Sequence, residues 1–229
     1  EASGEQLAES TLMKVLAGAV RPDAGEVLID GRPARITDPQ AARRLGISVI
    51  YQELTLVPHL SVAENVFLGK APRVAPGLVH WSRMREDAAQ LLRGLGTPLD
   101  VRAPVARLGI AQQQMVEVAR ALADEARVLV MDEPTSALSA AEVDQLFAAI
   151  ERLAGRGVAI VYISHRMDEV FRIGQRVTVL RDGRHVATMG IGETSPGHLV
   201  RLMADREIAE QYPPRRTRHG SGGDPPDVR

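Results

Sequence analysis

The chain has 229 residues, 45% of them hydrophobic and 25% charged, with a formal net charge of −1. That balance fits one substantial globular core and excludes a general electrostatic pull toward nucleic acid or an anionic membrane. No cysteine is present, so disulfides, thiolate metal sites and a cysteine nucleophile are all excluded. No apolar run approaches the roughly 20 residues that a membrane-spanning helix needs.

Taken in chain order, strands and helices alternate. Val27–Asp30 and Ile47–Tyr51 are short apolar runs of strand type. Val128–Met131 and Val158–Ile163 are continuous aliphatic runs, as strands buried on both faces of a parallel sheet require. Helical spacing places Met84, Ala88, Leu91, Leu92 and Leu95 on one face, and Met115, Val118, Ala119 and Leu122 on another. A third stripe, Val143, Leu146, Phe147, Ile150 and Leu153, is opened by a capping box of Ser139 and Glu142. Gly69–Gly77 reads as a loop, and Val177–Ala187 as a hairpin turning at Asp182-Gly183. From Pro213 the sequence has almost no apolar content and is expected to be a disordered tail. The fold class is α/β with a mostly parallel sheet flanked by helices.

The strongest chemical signal is Val128-Leu129-Val130-Met131-Asp132-Glu133-Pro134-Thr135. A buried strand ends in two adjacent carboxylates, at the sheet edge where ligands of open α/β folds bind. One carboxylate there can hold Mg²⁺ and the other can orient or deprotonate an attacking water. An Asp-Glu pair is also common at a solvated strand end, so the neighbouring motifs matter. Ser164 and His165 follow the next strand, where an imidazole can reach a phosphate. Gln52 follows Ile47–Tyr51 and can contribute a neutral oxygen to a metal or to water. Leu108-Gly109-Ile110-Ala111-Gln112 is a small-residue turn entering an amphipathic helix, and exposed N–H groups at such a start suit phosphate.

Together these motifs resemble the ATP-binding cassette (ABC) ATPases. Gln52 matches the Q-loop, Leu108–Gln112 the signature motif, Val128–Glu133 Walker B, Ser136–Ser139 the D-loop and His165 the switch histidine. The wording at 112–122, 131–139 and 161–170 is similar to ATPase subunits of bacterial importers for ribose, galactose and xylose, first cassette. The resemblance implies a P-loop NTPase-like fold with a helical signature subdomain over about 53–125, inside one nucleotide-binding domain over 1–212. It implies ATP and Mg²⁺ as ligands. Glu133, His165 and Gln52 would be catalytic. Ser10, Thr11, Leu108, Gly109, Ala111 and Gln112 would contact nucleotide, and Ser10, Gln52 and Asp132 would hold the metal. It further implies a second cassette bound head to tail, membrane permease subunits docked near 53–66 and, indirectly, a sugar-binding protein. No nucleic acid is expected, and the location would be the cytoplasmic face of the bacterial inner membrane.

The start of the sequence departs from the family pattern. A phosphate loop reads G-x-x-x-x-G-K-[ST], whereas Ser3-Gly4-Glu5-Gln6-Leu7-Ala8-Glu9 precedes Ser10 and puts Glu9 in the lysine position. The chain has two lysines, and Lys14 lies a full turn into the helix. The strand expected before the loop is also missing, and the signature carries Gly109 and Ala111 where serine and glycine are usual. A truncated or degenerate cassette that only donates its signature motif is therefore the alternative expectation.

Overall fold

The computed structural model describes residues 11–204. The expected phosphate loop and Ser10 lie outside them, as does the expected tail from Pro213.

Helix α1 covers 11–16 and stops at Gly18, whose φ of 73° ordinary side chains resist. A Cβ there would also lie 2.4 Å from the Asp38 carbonyl oxygen, so glycine is required twice over. Strands β1 (Val27–Ile29) and β2 (Arg32–Ala34) form a hairpin. Its turn, Asp30-Gly31, holds both φ values positive, as a tight two-residue turn demands. Helix α2 (Pro39–Arg44) starts with Asp38 accepting from the Ala41 N–H at 2.9 Å, a bond that lowers the Asp38 pKa.

The central sheet is parallel, in the order β3 (Ile47–Ile50), β6 (Val128–Asp132), β7 (Ala159–Ile163). Between β3 and β6 lie α3 (Val62–Val66), a small hairpin of β4 (Arg73–Ala75) and β5 (Leu78–Val79), α4 (Trp81–Gly94) and α5 (Ile110–Ala123). The hairpin corrects the loop reading of Gly69–Gly77. Pro76-Gly77, with Gly77 at φ 82°, supplies a reversal tight enough to pair the flanking residues. After β6 come α6 (Ala140–Gly155) and then β7, α7 (Met167–Ile173), the hairpin β8 (Arg176–Arg181) and β9 (Arg184–Gly190), and α8 (Pro196–Met203). The β8–β9 turn falls at Asp182-Gly183 as expected, both with positive φ.

Strand alternation distributes β6 between two cores. Leu129 and Met131 pack with α4, α5 and α6, including Leu92, Met115, Val118, Leu146, Phe147 and Leu153. Val130 points the other way, against Met13, Ile36, Ala42 and Ile47. All five residues of the expected α6 stripe are buried. Each large side chain of this kind stabilises the fold by about 1.5–3 kcal/mol. At the start of α6 the Glu142 carboxylate accepts from the Ser139 N–H at 2.8 Å and from its hydroxyl at 2.7 Å.

Among the described residues β7 pairs only with β6. Its other side lines a cleft of about 770 Å³ walled by Leu12, Met13, Leu16, Ile173 and Val177. Val161 is 39% exposed there and Ala159 is exposed too, which corrects the reading of Val158–Ile163 as buried on both faces, and β7 carries neither lysine nor proline to discourage a new strand. The chain should therefore self-associate on concentration. Val161→Lys is expected to reduce that association in sedimentation velocity while leaving the far-UV circular dichroism unchanged. Equal association of both proteins would clear this edge of responsibility.

Candidate functional site

The register of the parallel sheet assembles the site. Ile50 pairs with Met131, and Met131 with Tyr162, so the three strands end level with one another. One step on, Asp132 pairs with Ile163. Tyr51-Gln52, Asp132-Glu133 and Ser164-His165 thus leave the sheet along the same carboxyl edge. Gln52, Asp132, Glu133 and His165, separated by up to 113 positions (165 minus 52), are thereby gathered at one edge of the sheet.

Glu133 leaves β6 in the left-handed region at φ 43°, which costs about 1–3 kcal/mol for a residue with a Cβ. Its N–H donates to the Ile163 carbonyl at 3.0 Å, holding this bend against β7. The Glu133 Oε1 lies 2.7 Å from His165 Nδ1. A carboxylate oxygen accepts, so Nδ1 is the donor in this bond, and Nε2 makes no hydrogen bond among the described residues. His165 is 69% exposed and Glu133 only 18%. The pair therefore presents an imidazole to solvent from a sheltered carboxylate.

Asp132 is held above the usual carboxylate pKa, first by burial and then by the neighbouring Glu133 charge. Burial, with the Asp132 charge, likewise raises the Tyr51 phenol. The edge thus carries negative charge that the described side chains leave uncompensated at Asp132, a setting that favours a cation. Asp132 and the exposed Gln52 offer oxygen donors, the type that a hard divalent ion takes while keeping several waters. No cluster of three or more His, Cys, Asp or Glu suited to a metal occurs among the described residues. Mg²⁺ needs no such cluster, since one or two carboxylates with phosphate oxygens suffice.

The other expected contacts lie elsewhere. Thr11 is exposed at the head of α1. Leu108 and Gly109 lead into α5, with Gly109 as N-cap. The Gly109 N–H donates to Gln112 Oε1 at 3.1 Å, and Gln113 Nε2 donates to the Leu108 carbonyl at 3.0 Å. Gly109 and Gln112 are exposed, whereas Ala111 is buried. None of these four residues bonds to Gln52, Asp132, Glu133 or His165 among the described residues. A serine would fit at 109, because a Cβ there meets nothing within 4 Å.

Two buried carboxylates escaped the sequence reading. Glu117 in α5 accepts from the Thr55 N–H at 2.7 Å, from the Thr55 hydroxyl at 2.9 Å and from Arg120 Nη2 at 3.1 Å. It ties the segment after Gln52 to the helix that begins at Gly109. A glutamate inside the apolar run Met115-Val116-Glu117-Val118-Ala119 was the available signal, with Arg120 three residues on. Glu169 in α7 is 1% exposed and gathers Thr135, Tyr162, Ser164 and Arg166. Burial and its bond to Glu169 push the Tyr162 phenol well up. Nothing in the local sequence separates Glu169 from its exposed neighbour Asp168.

A sequence model of the ABC transporter family matches residues 9–136. The chain is 55% identical over 212 residues to ribose import ATP-binding protein RbsA 1 of Rubrobacter xylanophilus, covering 93% of this chain and 42% of that protein. It is 50% identical over 201 residues to a putative ribose/galactose/methyl galactoside import ATP-binding protein 2 of Burkholderia cenocepacia, covering 87% of this chain and 39% of the relative. The chain thus spans about two-fifths of the length of these curated relatives. Among solved structures, a nucleotide-free ATP-binding cassette from an ABC transporter superposes with a TM-score of 0.71 at 22% identity, covering 88% of this chain and 82% of the other. The cbiO1 protein of Clostridium perfringens, part of the ABC transporter complex cbiONQ, superposes with a TM-score of 0.69 at 24% identity, covering 84% and 76%. At such identities the superpositions establish the fold alone, an α/β P-loop NTPase cassette with a parallel sheet between helices. With the family match over more than half of the sequence, the chain belongs to the ABC transporter family.

Proposed function

We propose that this chain is one nucleotide-binding cassette of an ATPase that energises sugar import. The observation that carries this reading is the Glu133–His165 pair, held at 2.7 Å on the carboxyl edge of the parallel sheet. Glu133 orients and deprotonates the attacking water, and His165 contacts the γ-phosphate through Nε2. Gln52, Asp132 and Ser10 would hold Mg²⁺, which would supply charge neutralisation for the transferred phosphoryl group. Thr11, at the head of α1, and Ser10 before it in the sequence would contact the phosphates.

Leu108, Gly109, Ala111 and Gln112 act on a different nucleotide. They lie at the start of a 14-residue helix with Gly109 as its N-cap. Among the described residues they share no hydrogen bond with Glu133 or His165, which suits a surface offered to the phosphates of a second, head-to-tail cassette. Permease subunits dock along 53–66, where Asn65 folds the loop around itself by bonding the Val57 N–H at 2.7 Å and the Leu60 carbonyl at 3.2 Å. The Glu117–Thr55 bonds pass motion from that surface to the signature helix. A sugar-binding protein acts indirectly through the permease, at the cytoplasmic face of the bacterial inner membrane. The similarity to ribose and galactose import proteins supports the substrate class. In domain terms, 1–212 forms one cassette with a helical subdomain over about 53–125.

Glu9 favours a second reading, a cassette that donates its signature motif without hydrolysing ATP itself. A carboxylate where a lysine is usual meets the phosphates with repulsion of about 4 kcal/mol at 4 Å and an effective dielectric near 20, less in solvent.

Two measurements separate these readings. In steady-state phosphate release, Glu133→Gln is expected to cut turnover about 100-fold or more and leave MgATP affinity within about threefold. Unchanged turnover would remove Glu133 from the chemistry. In calorimetric titration, Glu9→Lys is expected to tighten MgATP binding by at least about tenfold, the equivalent of 1.4 kcal/mol. Equal affinity of the two proteins would show that Glu9 does not face the phosphates.

A further inference from the structure

We propose that Glu169 is the positioning residue that sets the spacing of Glu133 and His165, acting without touching substrate. The inference rests on the catalytic reading of that pair given above. Glu169 occupies the third position of α7, where a glutamate ordinarily turns back to accept the N-cap N–H. Here the Arg166 N–H donates instead to Ser164 Oγ at 3.0 Å, and the Glu169 carboxylate is turned inward.

Both oxygens are engaged. Oε1 accepts from Thr135 Oγ1 at 2.8 Å and forms an ion pair with Arg166 Nη1 at 3.0 Å. Oε2 accepts from Thr135 Oγ1 at 2.9 Å, from Tyr162 OH at 2.8 Å and from Ser164 Oγ at 3.0 Å. Thr135 itself is 3% exposed. Three hydroxyl donors and one cationic partner offset the cost of burying this charge.

The position of the donors gives the carboxylate its function. Thr135 lies two residues past Glu133, on the segment leaving β6. Ser164 and Arg166 flank His165, on the segment leaving β7. One buried group therefore grips both arms of the pair and neither of its reacting atoms. Apart from the Glu133–His165 bond itself, the arms are joined at this level, among the described residues, by the backbone bond from the Glu133 N–H to the Ile163 carbonyl, which leaves the side-chain torsions free. Without Glu169, the turn carrying His165 can swing on Ser164 and Arg166 while β7 stays in register. A displacement near 1 Å at a reacting group costs about 100-fold in rate.

The test uses the full chain labelled with ¹⁵N-histidine, read by long-range ¹H–¹⁵N spectra of the imidazole rings. His165→Asn identifies the His165 signals, and Glu133→Gln sets the Nδ1 displacement that accompanies loss of the charged partner. Glu169→Ala is expected to move the His165 Nδ1 signal by at least half of that displacement. Thr135→Val, which touches neither Glu133 nor His165 by side chain, is expected to move it in the same direction. Glu169→Gln should recover part of the shift by keeping the shape of the hub. A lowered melting temperature with the His165 Nδ1 signal in place would overturn the proposal, because a merely stabilising carboxylate gives that result. Should Glu169→Ala fail to fold, Thr135→Val and Glu169→Gln decide the matter by the same criterion. In ATP hydrolysis, Glu169→Gln should lower kcat with KM within about twofold. A wild-type chain that does not hydrolyse ATP removes the catalytic reading alone, and the imidazole signals still decide the positioning.

Discussion

The structure depends on the register of three parallel strands that end at one level. β3, β6 and β7 come from distant parts of the sequence, and hydrogen bonding fixes their relative height residue by residue. Because β6 is buried on both faces, a slip of one residue would exchange Leu129 and Met131 with Val130 between two differently shaped cores. The packing therefore fixes the height at which Gln52, Asp132, Glu133 and His165 leave the sheet. The site is a consequence of the core.

Two buried glutamates extend that order beyond the sheet. Glu117 anchors Thr55 to α5, and Glu169 anchors Thr135 and Ser164 to the start of α7. In each case a charge is taken from water and surrounded by donors, including an arginine. Such a group contributes little net stability but makes loss of any partner expensive, by about 1–3 kcal/mol per orphaned polar group. Loops held this way have one arrangement. That property suits segments whose side chains must meet a ligand at fixed distances.

The sequence was legible where local pattern and tertiary environment agree. The aliphatic run of β6 announced a strand covered on both faces, and the period of Val143 to Leu153 announced α6; the equally aliphatic β7 read the same way, yet its Ala159 and Val161 are exposed on the cleft. The carboxylates after Met131 stood out because they end a run that is otherwise apolar. The β4–β5 hairpin was not legible, because Val74 and Leu78 are exposed and the strands that pair across Pro76-Gly77 carry no alternating buried face. The short helix α2 carried its signal in Asp38-Pro39, a cap followed by proline, too local to register as periodicity. Glu169 was invisible for a deeper reason. Its role depends on Thr135 and Tyr162, which only the folded chain brings to it. The phosphate-loop departure at Glu9 and the tail from Pro213 lie outside the described residues, so the reading of each rests on sequence alone.

The central claim is that nucleotide binds along the shared carboxyl edge of β3, β6 and β7. Titrating the ¹⁵N-labelled chain with Mn²⁺ and millimolar ATP, and recording which amide signals broaden, tests it most directly. Selective broadening at Gln52, Asp132, Glu133, Ser164 and His165 is the predicted result. Broadening confined to other surfaces, or none at nucleotide concentrations that saturate binding, would contradict it.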